Sequence, residues 1–154
     1  MALAEHAVYR TEFEPRPSPE ALVIHCSDPR YQFHFQEFLR QHLGLDTYEL
    51  IAVPGGPQFL TAMEFLPKFS WVGWRWVKFL VDVAKPTRVI LIGHEGCRWY
   101  KSLHLLRRQA EMRRLEERDL HTVAAELKER FSALALEKYF ARHEGEHVVF
   151  ELVR

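Results

Sequence analysis

Apolar and polar positions divide the chain into short unbroken hydrophobic runs separated by amphipathic stretches. Ala21-Leu22-Val23-Ile24-His25-Cys26 is apolar with almost no alternation, the pattern of a strand covered on both faces of a parallel sheet. Phe35, Phe38, Leu39 and His42 then recur at helical spacing, with Gly44 as a stop. Tyr48 to Val53 reads as a second strand, closed by the turn Pro54-Gly55-Gly56-Pro57. From about Leu60 to Ala84 the pattern predicts helix, interrupted near Pro67 and Gly73, with Val72, Trp76, Phe79, Leu80 and Val83 as its apolar stripe. Lys85-Pro86-Thr87 ends it, and Arg88 to Gly93 forms the most apolar strand. A charged helical stretch follows over 98–118, its run Arg107 to Arg118 reading as a solvated face. A restart capped by Asp119 then carries Leu120, Val123, Ala124, Leu127 and Phe131 as a stripe, with helix to about Phe140. A turn at Gly145 introduces a last strand from His147 to Arg154.

Residues 1–20, punctuated by Pro15, Pro17 and Pro19, read as an extended arm, and 21–154 as a single domain. Strands alternating with helices predict an α/β fold, a mostly parallel sheet of about four strands flanked by helices. Short right-handed crossovers place the second strand beside the first. With the third on the other side, the order is 2-1-3-4, and the carboxyl ends of strands one and three border the topological switch point where such sheets build sites. Cys26 lies at one of those ends, and His94 and Cys97 lie just past the other.

Composition narrows the function classes. The 154 residues carry 21 basic and 21 acidic side chains, a formal charge of zero. That balance predicts neither a nucleic acid nor an anionic membrane as partner. No apolar run approaches the ~18 residues that cross a bilayer, and the N-terminus lacks a secretory plan. Two cysteines far apart fit a reducing compartment, so the expected location is cytoplasmic. Trp71, Trp74, Trp76 and Phe79 are denser than one amphipathic helix needs, which suggests core plus an oligomer interface.

Cys26, His94 and Cys97 offer two thiolates and one imidazole, the ligand set of a zinc site with one position left open. Soft thiolates favour zinc over magnesium or calcium. The alternative is that both thiols merely fill core, where cysteine is common. A phosphate-binding cysteine loop needs a longer wrap than the three residues between Cys26 and Arg30, and Asp28 would repel the anion. Asp28, two residues past Cys26, can approach a metal or accept a hydrogen bond beside it, and Arg30 can hold it ionised through a bidentate pair. As an isolated pattern, Asp-x-Arg is more often a surface ion pair.

Together, Cys26-Ser27-Asp28-Pro29-Arg30 and Gly93-His94-Glu95-Gly96-Cys97 resemble the two signature motifs of the β-class carbonic anhydrases, Cys-x-Asp-x-Arg and His-x-x-Cys, each after a parallel strand. The resemblance spans roughly residues 20–100. It implies Zn2+ held by Cys26, His94 and Cys97, with Asp28 and Arg30 as the catalytic dyad. The aspartate would either take the water's place on zinc or release it and pair with the arginine. The implied reaction is reversible hydration of carbon dioxide to bicarbonate by zinc-bound hydroxide, with a substrate pocket touching Gly56, Gly96 and Arg98 and a homodimer or higher homo-oligomer as the assembly. Two departures stand out. Val53-Pro54-Gly55-Gly56-Pro57 replaces the family's Arg-Asn-Ala-Gly-Asn, sharing only Gly56, and Arg98 replaces the glycine usual after the second cysteine. A zinc hydrolase of carbon disulfide or carbonyl sulfide, and a non-catalytic zinc-binding relative, are the alternatives on the same scaffold.

Overall fold

The structure is a computed structural model and describes residues 6–61 and 67–154. The strands β1 (Ala21–Cys26), β2 (Glu49–Val53), β3 (Arg88–His94), β4 (Ala135–Glu144) and β5 (His147–Leu152) form one sheet in the order β2-β1-β3-β4-β5. The first four run parallel, and β5 returns antiparallel along β4. The mostly parallel α/β sheet with order 2-1-3-4 is as the sequence predicts, with one strand more.

All six residues of β1 are buried, which is why the run does not alternate. Leu22 and Ile24 of β1 and Val89 and Leu91 of β3 face one core. That core is closed by Val77 of α2 (Pro67–Ala84) and by Leu120, Val123 and Leu127 of α4 (Gln109–Arg130). Ala21, Val23, Ile90 and Ile92 face the opposite side. There Phe35 of α1 (Gln32–Glu37) and Leu39, in the π-helical turn Phe38–His42 that continues it, cover the sheet. A short helix, α3 (Arg98–Leu103), starts directly after Cys97.

Three sequence-based expectations are corrected. The stretch from Ala135 to Phe140, expected as helix, is the first part of β4, and the strand expected at 147–154 is the fifth and antiparallel one. Leu-Glu-Lys-Tyr-Phe-Ala carries good helix formers, but Leu136 and Phe140 pack on one face of the sheet while Tyr139 and Ala141 pack on the other. Pairing on both edges overrides propensity here. Second, α4 runs unbroken through Asp119, so Asp119 is no cap. The helix starts at Gln109 instead, where Glu111 accepts the Arg108 backbone N–H. Met112 and Glu116, inside the run expected to be solvated, are buried.

Third, α2 passes through Gly73 without a break and turns much of its predicted stripe outward: Trp76 is 48% exposed, Phe79 62% and Val83 60%, while Leu80 packs on the core. The face toward the sheet is Gly73, Val77 and Ala84. A Cβ at Gly73 would lie 2.3 Å from the Phe59 ring, so the missing side chain sets how closely the helix docks. The expected break near Pro67 borders residues 62–66, which lie outside the described residues. Of the arm, residues 6–18 are exposed.

The turn after β2 positions the site. Gly55 and Gly56 have φ of +80° and +58° and lead into a single 3₁₀ turn, Gly56–Leu60. A Cβ on Gly56 would lie 2.9 Å from the Cys26 nitrogen and 3.0 Å from the His25 carbonyl carbon. Backbone meets backbone there, against the end of β1. Gly56→Ala is expected to lower the urea midpoint with an unchanged slope, a loss of about 2–4 kcal/mol. A midpoint equal to wild type would show that the contact is not tight.

Candidate metal centre

The parallel pairing of β1 with β3 sets His25 opposite Ile92, so both strands end at the same rim of the sheet. Cys26 is the last residue of β1, and His94 the last of β3. Gly96, at φ +68°, then turns the chain so that Cys97 comes back over the rim as the residue before α3. The ligand atoms of Cys26, His94 and Cys97 lie within 4.8 Å of one another, and all three residues are buried. Among the described residues, no other group of three metal-ligating side chains converges in this way.

The donor set fits zinc. The two Sγ atoms are 3.9 Å apart, far beyond a disulfide bond and close to the ~3.8 Å that two Zn–S bonds of ~2.3 Å subtend at a tetrahedral angle. His94 Nδ1 lies 3.0 Å from the Glu95 carbonyl oxygen. A proton on Nδ1 donating there leaves the Nε2 lone pair unshared. His94 Nε2 is, among the described residues, the one buried side-chain nitrogen or oxygen without a hydrogen-bond partner. A buried acceptor left this way is costly unless something fills it. The hydrogen bond between the thiols lowers the Cys26 pKa and raises that of Cys97.

Tyr31 fixes the imidazole from behind. Its ring centroid is 4.3 Å from that of His94, and its hydroxyl donates to the Glu95 carbonyl at 3.0 Å. On the other strand, His25 is buried against Phe35 with ring centroids 4.4 Å apart, a packing role.

Asp28 and Arg30 pair as a fork. Arg30 Nε donates to Oδ1 at 3.0 Å and its Nη2 to Oδ2 at 2.6 Å, while the Arg30 backbone N–H adds a third bond to Oδ1 at 3.0 Å. The Asp28 side chain is only 2% exposed, and the guanidinium holds its pKa down to about 2 against the cost of burial. The same Arg30 Nη2 donates to the Gly96 carbonyl at 2.9 Å and so ties the loop after β1 to the loop after β3. Arg98 also approaches: its Nε is 3.6 Å from Asp28 Oδ2.

Several participants were not found from the sequence. Glu116 accepts the His94 backbone N–H at 3.2 Å, and burial pushes its pKa well up. Asp119 Oδ2 accepts from Tyr100 Oη at 2.7 Å and from Gln58 Nε2 at 3.2 Å. Gln58 Oε1 in turn accepts from Trp99 Nε1 at 2.6 Å. This chain of bonds joins the 3₁₀ turn, α3 and α4 around the Cys97 loop. One signal was available: Met112, Glu116, Asp119, Leu120 and Val123 share a helical face, and acids on an otherwise apolar stripe mark a buried polar site.

Of the expected pocket residues, Gly56 packs on the end of β1, Gly96 accepts from Arg30, and Arg98 leans toward Asp28. A cavity of about 330 Å³ lies beside the turn after β2, lined by Val53, Pro54, Phe59, Phe69, Val72, Trp76 and Trp99. Val53 is the register partner of Cys26, and Trp99 stands two residues past Cys97. The Trp99 ring occupies the space a Cβ on Gly55 would need.

Compared by sequence, the chain matches no family model and no curated protein. Compared by structure, it matches solved carbonic anhydrases of the β class along most of its length. A carbonic anhydrase from Streptococcus mutans matches with TM-score 0.59 and 13% identity, covering 99% of this chain and 91% of that one. One of two tetrameric β-carbonic anhydrases from Sordaria macrospora gives TM-score 0.57 and 13% identity, over 88% and 81% of the two chains. The β-carbonic anhydrase CafD of Aspergillus fumigatus gives 0.52 and 15%, over 92% and 94%. The chain has the fold of the β-carbonic anhydrases, in a divergent sequence.

The Asp28–Arg30 pair makes a pH-dependent prediction for the metal-free protein. The folded pKa of Asp28 lies below its ordinary value of 3.8, so its stabilising contribution is complete above that value and is lost as pH falls through about 2. Arg30→Ala is expected to cost about 1–3 kcal/mol at pH 7, a gap that narrows below about pH 4. Urea unfolding across pH measures it. A gap that stays constant down to pH 2 would show that Arg30 acts by packing alone.

Proposed function

We propose that the protein is a zinc lyase that hydrates carbon dioxide reversibly to bicarbonate. The observation that carries this reading is the unpartnered, buried Nε2 of His94, facing two cysteine sulfurs at zinc spacing. The fold shared with β-carbonic anhydrases supports it. Cys26, His94 and Cys97 would hold the ion through two sulfurs and one nitrogen and leave one position open. Bound there, zinc acts as a Lewis acid that lowers the pKa of water toward ~7.

The chain's own residues do the rest. Nδ1 of His94, donating to the Glu95 carbonyl, keeps the ring in the tautomer that offers Nε2. Arg30 keeps Asp28 ionised, and so an acceptor only, at the rim of the site. The apolar cavity beside Val53 and Trp99 suits a small uncharged substrate, while the Arg30 and Arg98 guanidiniums favour an anionic product.

A second copy of the chain would complete the site. The outward face of α2, with Trp76, Phe79 and Val83, continues onto Leu50 of the edge strand β2, and Val72 and Trp76 also wall the apolar cavity. So large an apolar face is the mark of an interface, and we propose a homodimer closed across it. Two free thiols suit a reducing compartment such as the cytoplasm. Among the described residues, no helix is long and apolar enough to cross a membrane.

Emission spectroscopy should find one zinc per chain, absent from Cys26→Ala. Stopped-flow assays at pH 7 to 9 should show carbon dioxide hydration that falls at least about tenfold in Asp28→Ala with zinc retained. Zinc without turnover would leave a non-catalytic zinc protein, and turnover of carbonyl sulfide or carbon disulfide alone would make it a hydrolase. For the assembly, sedimentation equilibrium should give a dimer or larger, and Phe79→Asp should shift it to monomer. A monomeric wild type would remove the dimer.

A further inference from the structure

We propose that Arg98 is a positioning residue for Asp28: together with Arg30 it holds the carboxylate outside the Cys26–His94–Cys97 group, and so keeps this chain's own aspartate off the fourth ligand position. The proposal rests on the zinc reading above.

Asp28 is the natural competitor for that position. A carboxylate is an ordinary zinc ligand, and this one follows Cys26 by two residues. Its acceptor sites are nearly full. Oδ1 accepts two hydrogen bonds from Arg30 and Oδ2 accepts one, which leaves one lone pair on Oδ2. That lone pair is the one a metal could take, and Arg98 Nε stands 3.6 Å from the same oxygen. To reach the ligand group, the carboxylate would have to leave two guanidiniums rather than one.

The location of Arg98 points the same way. It is the first residue of α3, directly after Cys97, so the turn that carries the third ligand also carries the cation. A cation opposes the helix dipole at that end, so helix stability gives no reason for an arginine there. Among the described residues, Asp28 is its one ion-pair partner. The side chain is 65% exposed, so its pull on Asp28 is screened and modest.

The test uses the full-length protein loaded with Co2+ in place of zinc, titrated with imidazole at pH 8, where this probe is largely uncharged and arginine charge does not attract it. The visible ligand-field absorption of Co2+ reports occupancy of the fourth position. Arg98→Met and Arg98→Gln should each raise the apparent Kd for imidazole by about two- to fivefold, because a freed Asp28 now competes. In an Asp28→Ala background the same substitutions should change nothing. An unchanged Kd in both Arg98 variants with cobalt bound would overturn the proposal, as would an equal effect in the Asp28→Ala background. Failure to take up cobalt at all would overturn the zinc reading and this proposal with it, a result distinct from the other two.

Discussion

The parallel register between β1 and β3 is the constraint on which the site depends. Cys26 and the His94–Cys97 turn are some seventy positions apart along the chain, a separation of 71 between the two cysteines. They become neighbours only because the two strands pair in register and end together. β2 pairs with one side of β1 and β3 with the other, so the rim between β1 and β3 is uncovered by either crossover. A one-residue slip would turn Cys26 to the opposite face of the sheet, since side chains alternate along a strand. The burial of Leu22, Ile24, Val89 and Leu91 in one core, and of Ala21, Val23, Ile90 and Ile92 in the other, forbids that slip.

Register brings the rims together, but it does not orient the loops. Arg30 does that across the gap, with one guanidinium serving both Asp28 after β1 and the Gly96 carbonyl after β3. Behind the Cys97 loop, the bonds from Trp99 to Gln58 and from Gln58 and Tyr100 to Asp119 hold three separate elements with side-chain dipoles rather than apolar packing. Such a network is directional where a hydrophobic contact is not, so it can define where a loop sits to within a hydrogen bond. Cys97 and Tyr100 are both nearly inaccessible, which removes water as a competing partner.

Much of this was legible in the sequence because it is written in local patterns. The unbroken apolar runs at 21–26 and 88–93 marked both central strands, and Cys-x-Asp-x-Arg with His-x-x-Cys singled out five residues that the structure gathers at one rim. What was missed depends on neighbours distant in sequence. β4 is built from residues with good helix propensity and becomes a strand because β3 and β5 flank it. On α2, the stripe of Val72, Trp76, Phe79, Leu80 and Val83 has the right period, but only Leu80 packs on the core while Trp76, Phe79 and Val83 face outward, since the helix has a second face of Gly73, Val77 and Ala84. Periodicity reports that an apolar face exists, not what it meets. Gln58 carries no local mark, and Asp119 only its place on the apolar face of α4.

Charge gives the last step of synthesis. If Cys26 and Cys97 bind a divalent ion as thiolates, their two negative charges cancel its two positive ones. Asp28, ionised, is cancelled by Arg30. Glu116 accepts the His94 backbone N–H, and burial raises its pKa. Arg98 adds a second guanidinium, 3.6 Å from the Asp28 carboxylate and open to solvent. The loop between His94 and Cys97 also carries Glu95, whose carboxylate accepts from Gln109 Nε2 and the His143 N–H. The arginine after Cys97 therefore sets two guanidiniums against one carboxylate at the Asp28 corner of the rim, a local pull on an anion such as a bicarbonate product or any anionic competitor.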